Sequence, residues 1–436
     1  MTIEQIIELG LSKGISKIQV VSSTTGGLNI TVYKGQVEEC KKSLVEKFGV
    51  RGVYRGKMGY VAFEDSSEEN VSYLLDELIA NAKSVTSKEP AILFKGAKKY
   101  RSVPEKPSNL SSVPLAKKIE KVVELDTLLK NSKNILQVEG TVYSESVGKT
   151  RFVNSLGLNL TEEHSYGLVY STGVFSKDES DIQTFTDFAT FINFEELDVT
   201  KIAERISKGG NKKLGGYTPN SGLYDCVFSQ ECVGEFFSVF NDNFSAEAKY
   251  RNLTKFSDKV NTKVASEKLT VIDDPYCTKS LFQSPFDGEG VPTKTKKLIE
   301  NGVFKGFLNS LKYAKLLKEK VTGNGPSCDP FVLVVKPGKV SFANLVKDIK
   351  DGIYICELAG LHAGVHSTSG DFSVQASGFE IKDGKVGKPV KMIVVSGNFF
   401  ECINNIVEIG SDAKFFVLSD TYTPSIHFGK MAIGGK

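Results

Sequence analysis

"KIQVVSST" (17–24), "LNITVYKG" (28–35), "SLVEKFGVRGVYRG" (43–56) and "MGYVAFED" (58–65) decide the fold class of this chain. Each run is rich in Val, Ile, Tyr and Phe, and glycine punctuates the joins. That combination predicts an antiparallel meander, because branched and aromatic side chains fit a pleated surface and glycine takes the turns. Working outward, "TIEQIIELGLSK" before the runs has helical spacing. After them, "SSEENVSYLLDELIANAKSV" opens on a serine cap and keeps apolar residues one helical turn apart. The pattern helix, meander, helix then returns. A helix is expected over 114–131, strands at "ILQVEGTVYSES", "KTRFVNSLGLNLTEEHSYGLVYSTGVFSK" and "DIQTFTDFATFI", and a further helix in "FEELDVTKIAERISK".

Two polar stretches divide the chain. Residues 89–113, "EPAILFKGAKKYRSVPEKPSNLSSV", carry three prolines and read as a linker laid over the surface. Residues 209–222, "GGNKKLGGYTPNSG", read as a second linker. The expected units are therefore 1–88, 114–208 and a strand-rich region over 223–436. The fold class is α+β: an N-terminal α/β part of two meander-and-helix units, followed by a large antiparallel β-rich C-terminal domain.

The 436 residues carry 55 basic and 52 acidic side chains, a formal charge of +3. Nucleic-acid binding normally needs a basic stripe, so that class is not expected. Glu4 and Glu8 interrupt the apolar N-terminus, which reads as an amphipathic helix and not as a signal peptide. No apolar run approaches the ~20 residues that span a bilayer, so no membrane partner is expected. The seven cysteines (40, 226, 232, 277, 328, 356 and 402) form no C-x-x-C pair. A reduced, cytoplasmic chain with small core thiols is the expectation.

Chemistry-bearing motifs are sparse. There is no phosphate-binding loop, no dinucleotide fingerprint and no nucleophile elbow. S-x-x-K at Ser146–Lys149 and Ser411–Lys414 are chance matches in a lysine-rich chain. Of His164, His362, His366 and His427, only His362 and His366 are spaced i,i+4, in "GLHAGVHSTSGDFS". Glycines surround them, and a loop would not fix two imidazoles on a metal. The stretch "FSQECVGEFFSVFNDNF" (228–244) reads as a helix with Val233, Phe236, Phe237 and Phe240 on one face. Glu231 and Glu235 share the opposite side. They allow three readings: a structural helix, the relic of a metal site, or a carboxylate site for a hard cation.

Further along, "VIDDPY", "SPFDGEGVPTKTKKLIENGVFKGFLNSLKYAKLL", "TGNGP", "TSGDFSVQASGFEIKDGKVGKPV", "VSGN" and "PSIHFGKMAIGGK" follow in order. Together they resemble the TldD/PmbA (TldE) family, labelled modulators of DNA gyrase. The resemblance covers 223–436 strongly and the N-terminal half more weakly, including "FVNSLGLNL". It implies a two-part role. TldD-type chains are metalloproteases with His-Glu-x-x-x-His on a helix and a distant C-terminal cysteine as a further zinc ligand. TldE/PmbA-type chains lack these ligands and pair with a TldD chain.

Aligned by order, "QECVGE" stands at the motif. Gln230 and Glu235 replace its histidines, Glu231 keeps the place of the general base, and no cysteine follows Cys402. Without an ion to lower the pKa of bound water, Glu231 has no activated water to serve. Gly234 either tolerates the widened turn that the motif's histidine spacing demands, or lets the helix pack closely. The resemblance thus implies a metal-free partner subunit of a cytoplasmic TldD/TldE-type metalloprotease, with zinc only in the partner chain. It would form a heterodimer, with a homodimer as the second arrangement, and act on unfolded peptides. Relatives of this kind process ribosomally made peptides such as microcins and degrade labile proteins such as antitoxins. Asp287, Glu289 and Asp371, in "FDGEGVPT" and "TSGDFS", are the candidate groove residues. Two other readings are a hydrolase acting alone through carboxylates or His362 and His366, and a non-enzymatic binding protein.

Overall fold

The computed structural model describes residues 1–178 and 181–436. Helix α1 (Ile3–Ser12) is held by a capping box in which Thr2 and Gln5 each bond the other's backbone. Strands β1 (Lys17–Tyr33), β2 (Gln36–Tyr54) and β3 (Lys57–Phe63) follow, and then α2 (Glu68–Ser84). Ser67 is at the N-cap of α2, but its hydroxyl turns back to Asp65 and makes no capping bond. The second unit repeats the order with α3 (Leu115–Lys130), β4 (Ile135–Asn154), β5 (Asn159–Ser176), β6 (Ile182–Phe191) and α4 (Val199–Lys213).

The two units share one six-stranded sheet, ordered β3-β2-β1-β4-β5-β6. Its centre is the antiparallel pair β1–β4, which runs from Gln19↔Asn154 to Val32↔Thr141. The order reads the same from either edge, as two copies of one helix–meander–helix unit facing each other would give. Two-residue turns set the hairpin registers at Lys34-Gly35 and Arg55-Gly56, where both residues have positive φ. This is the mirror-image turn whose twist matches that of the strands, and glycine takes its second position without strain.

Residues 89–109 cross between the sheet and the C-terminal region without helix or strand. They are tied down on the far side: Tyr100 donates to Gly290 O at 2.9 Å, and Lys106 donates to Ser280 O and Leu281 O at 2.9 and 2.7 Å.

The stretch 209–222 differs from its expected form. Helix α4 continues through Gly209 and Gly210 to Lys213. A Cβ at Gly210 would lie 2.0 Å from the Phe175 ring, and one at Gly209 would lie 2.4 Å from Phe185. The glycines here are seats for two aromatic rings of the sheet and not helix breakers, and close packing overrides their low propensity.

The C-terminal region starts with β7 (Gly222–Phe228) and α5 (Gln230–Val239). Its further strands are β8 (Val271–Asp273), β9 (Lys296–Glu300), β10 (Val303–Phe304), β11 (Leu333–Val335), β12 (Asp351–Ala359), β13 (Asp371–Lys382) and β14 (Lys385–Asn398). The last four are β15 (Glu408–Ile409), β16 (Lys414–Phe416), β17 (Thr421–Thr423) and β18 (Ile426–Gly434). They form two sheets, β10-β9-β8-β11-β17-β16 and β14-β13-β12-β7-β18-β15. Pairing is mainly antiparallel, with β11–β17 and β12–β7 parallel. The α+β class with large antiparallel sheets therefore stands. Helix α5 packs against strands of both sheets. Its apolar face is core: the Phe236 ring is 5.1–5.7 Å from the rings of Phe228, Phe240, Phe372, Phe399 and Phe428. The cysteines are all free thiols. Five of them are buried, Cys356 is half-buried and Cys40 is exposed. Among the described residues no helix is long and apolar enough to cross a membrane.

Candidate functional site

Helix α5 begins on Ser229, whose hydroxyl accepts from Cys232 N at 3.3 Å. The next side chain, Gln230, is half-buried. Its amide donates to Asp412 Oδ2 at 2.7 Å and Asp412 O at 3.2 Å. Asp412 is held in turn by Ser425, through N–H at 3.0 Å and Oγ at 2.9 Å. Thr423 Oγ1 donates to Gln230 O at 2.7 Å. The position is thus held by a half-buried polar network joining α5 to the segment after β15 and to β17. No local signal marks Asp412, because 182 residues separate it from Gln230.

Gly234 faces β17 at short range. A Cβ here would lie 2.3 Å from Thr421 Oγ1 and 3.3 Å from Thr423 Oγ1. Both threonines are fully buried, and α5 is a regular α-helix with no widened turn. Of the two roles open to Gly234, close helix packing is the one present.

Glu231 and Glu235 line the other side of α5. Glu231 is open to solvent on one side, yet the protein wall on the other displaces water. That burial, with Asp187 and Glu357 nearby, raises its carboxyl above the usual range, while Lys414 opposes the shift. Glu235 is half-buried and is pushed up to about 7, first by burial and then by Glu231 and Glu357. Glu357, on β12, is bound by Lys213 Nζ at 2.8 Å and by Ser377 Oγ at 2.6 Å. Asp187, on β6, pairs with Arg205 of α4. Carboxylates of the C-terminal region and of the central unit therefore meet across one seam, with lysines and arginine interleaved.

Beside that seam is a cleft of about 350 Å³ between the two parts of the molecule. Tyr166 and Leu168 of β5 form one wall, Leu281, Phe282 and Phe331 another, and Leu418 comes from the β16–β17 turn.

None of the expected groove residues, Asp287, Glu289 and Asp371, lines this cleft. Asp287 and Glu289 are buried, at 2% and 5% exposure. Asp287 Oδ1 accepts from Glu289 N and Val291 N at 2.9 Å each, and Oδ2 accepts from Gly325 N at 2.7 Å. Glu289 Oε2 accepts from Leu311 N at 2.8 Å. These carboxylates hold loops together. Arg51 of β2 reaches the same loop, donating to Gly288 O at 3.3 Å. Asp371 is exposed, and hydrogen bonds from Asn398 and Ser369 hold its carboxyl below the usual range. His362 and His366 are exposed on a turn and not on a helix, as the glycines predict.

A zinc ion does not fit the donors at α5. Gln230 spends its amide on Asp412, and a side-chain amide is a poor zinc ligand in any case. Among the described residues no group of three or more His, Cys, Asp or Glu is placed to hold a metal.

The Glu235 carboxyl makes a pH prediction. Its folded pKa is above its unfolded value, so the folded state binds the proton more tightly. Its ionisation therefore costs nothing below about pH 4.5, costs progressively more as pH rises to about 7, and is a constant cost above that. Glu235→Gln is expected to stabilise the chain at pH 8 by about 1–2 kcal/mol, a figure reduced for the solvent that reaches the site. At pH 4.5 the gain should vanish. Denaturant melts at the two pH values check this.

The architecture, one six-stranded N-terminal sheet with its helices and two C-terminal sheets around α5, recurs in known proteins. A structure from Thermotoga maritima, titled as a modulator of a DNA gyrase, matches with a TM-score of 0.89 at 25% identity, over 99% of both chains. TldE from Thermococcus kodakarensis shares the fold, with a TM-score of 0.87 at 24% identity over 99% of both chains. In sequence, a metalloprotease PmbA homolog of Buchnera aphidicola is 27% identical over 93% of this chain and 90% of its own length. The PmbA/TldA metallopeptidase domain 1, central domain and C-terminal domain match residues 19–82, 108–214 and 221–435. The chain belongs to the PmbA/TldD family.

Proposed function

We propose that this chain is the metal-free subunit of a two-chain PmbA/TldD-type metalloprotease, acting in cytoplasmic proteolysis and peptide processing. The observation that carries the reading is the fate of Gln230. At the position of the motif's first histidine, the side chain is turned into the Asp412–Ser425 network, while the backbone carbonyl of the same residue accepts from Thr423 of β17. A residue recruited into the fold in this way is no longer a ligand waiting for an ion. The large C-terminal sheets remain, and a cleft of about 350 Å³ lies between them and the N-terminal sheet, so the chain offers a shaped wall. Such a wall can enclose half of a channel that admits only unfolded peptide, with zinc and general base supplied by the partner. The raised Glu235 carboxyl needs no catalytic explanation, since burial beside two other carboxylates accounts for it.

The first test is assembly. Run together on size exclusion, this chain and a histidine-bearing TldD-type chain from the same cell should co-elute. A specific interface of this kind buries more than ~1,000 Å². If each chain elutes alone at every ratio, the reading fails.

A further inference from the structure

The cleft between the central unit and the C-terminal region holds about 350 Å³, at the small end of the range for ligand pockets. That is room for one or two large side chains and for no folded domain. Its walls are aromatic and aliphatic. Tyr166 of β5 and Phe282 meet edge to face with ring centroids 5.9 Å apart, and the His164 ring is 6.1 and 6.0 Å from them. His164 is itself seated on Gly148, where a Cβ would come within 2.1 Å of its ring. One wall is therefore a set of rings already in place, and a further ring can stack on it. Phe331 and Leu418 complete the enclosure, and Leu418 is 75% exposed.

Unspent polar groups converge on the same space. Tyr166, Thr190, Ser280 and Ser284 line the cleft, and none of their hydroxyls makes a hydrogen bond among the described residues. Ser280 is only 8% exposed, so its free hydroxyl is not an ordinary surface group. Asp420 also lines the cleft, and its carboxylate has no hydrogen bond or ion pair among the described residues. Burial on one side raises that carboxyl above its usual range, and no cation offsets the shift. No lysine, arginine or histidine lines the cleft among the described residues. Elsewhere such groups are satisfied: Asp287 and Glu289 accept from backbone amides, and Glu357 pairs with Lys213. An apolar space with a few free polar groups is the pattern of a binding pocket.

We propose that this cleft is a pocket for an aromatic side chain of an unfolded polypeptide, and that a cationic residue next to that side chain pairs with Asp420. The occupant follows from the chemistry of the walls. An aromatic ring fills the volume and packs on Tyr166 and Phe282. The free hydroxyls suit the N–H and C=O groups of an extended backbone, which must find partners when they leave water. The single unbalanced negative charge selects a lysine or arginine. A peptide as occupant rests on the reading of this chain as a peptide-processing subunit, and the pocket adds which segments are held first. Binding is measured on this chain alone. Failure to co-elute with a TldD-type chain therefore removes that reading and not the pocket, and failure to bind removes the pocket and not that reading.

The chain contains no tryptophan, so indole fluorescence reports the ligand alone. The probe is a short N-acetylated, C-amidated peptide with tryptophan followed by lysine, and its control has glutamate in place of lysine. Titrated with the full chain, the lysine peptide should shift its emission to the blue with a Kd between about 10 µM and 1 mM. The glutamate peptide should bind about fivefold more weakly, the size expected of a partly exposed ion pair. Tyr166→Ala removes one ring and should weaken binding about tenfold. Leu418→Ala changes an exposed side chain, where folding is not at stake, and should weaken binding about threefold. In Asp420→Asn the two peptides should bind equally, and asparagine tolerates the φ of 46° at this position. Circular dichroism checks the folding of each variant. An emission unchanged up to ~1 mM chain overturns the proposal. So does binding that neither Tyr166→Ala nor Leu418→Ala weakens, or a preference for lysine over glutamate that is absent in the unaltered chain or persists in Asp420→Asn.

Discussion

Cleavage of an unstructured peptide is expected from a mixture of this chain with a histidine-bearing TldD-type chain, and from neither chain alone. The expectation follows from the division of parts at α5. Gln230 is spent on Asp412, and the remaining donors, Glu231 and Glu235, do not make a zinc site. Without a metal or an imidazole the helix has no means of generating hydroxide near neutral pH. On the reading proposed above, this chain supplies a wall and the partner supplies the metal. Glu231→Gln in this chain should leave the activity of the mixture within a few fold, whereas loss of a working general base costs about 10²-fold or more. Peptide hydrolysis followed by mass spectrometry reads each arm. Full activity of the TldD-type chain by itself would remove the need for this subunit. Cleavage by this chain alone, lost in Glu231→Gln or Glu235→Gln, would instead make it a carboxylate hydrolase.

The second large effect is on stability. Gly234→Val should destabilise the chain by about 3 kcal/mol, the upper end of what overpacking costs, and so lower its melting temperature by about 3 °C. The added carbons must enter the space held by Thr421 and Thr423, both fully buried and fixed on β17. In an exposed helix, replacing glycine with alanine would be stabilising by up to ~1 kcal/mol. At this position Gly234→Ala should destabilise, because its Cβ would lie 2.3 Å from Thr421 Oγ1. Thr421→Ala removes that oxygen. The double variant Gly234→Ala/Thr421→Ala should therefore be more stable than the sum of the single changes allows. Strictly additive melts would show that α5 does not depend on this contact.

Much of the architecture is determined by local sequence. The strand runs between residues 17 and 65, the helices at 3–12 and 115–130, and the core face of α5 all follow from side-chain period and turn residues, which act over a few positions. The family is also legible, since the order of its motifs needs no coordinates. The linker and meander-and-helix boundaries remain a reading of composition, and the helix through Gly209 and Gly210 shows where composition misleads. What only the tertiary structure decided depends on residues distant in sequence. The pairing of β1 with β4 makes one sheet from two units, and neither strand alone specifies the other. Asp287 and Glu289 turn inward because backbone amides from Gly325 and Leu311 come to meet them. Gly234 is a packing residue because Thr421 arrives against it, and Gln230 is structural because Asp412 does. A carboxylate, an amide or a glycine has the same local pattern whether it serves a ligand or the fold. The partner that chain closure brings within about 3 Å distinguishes the two.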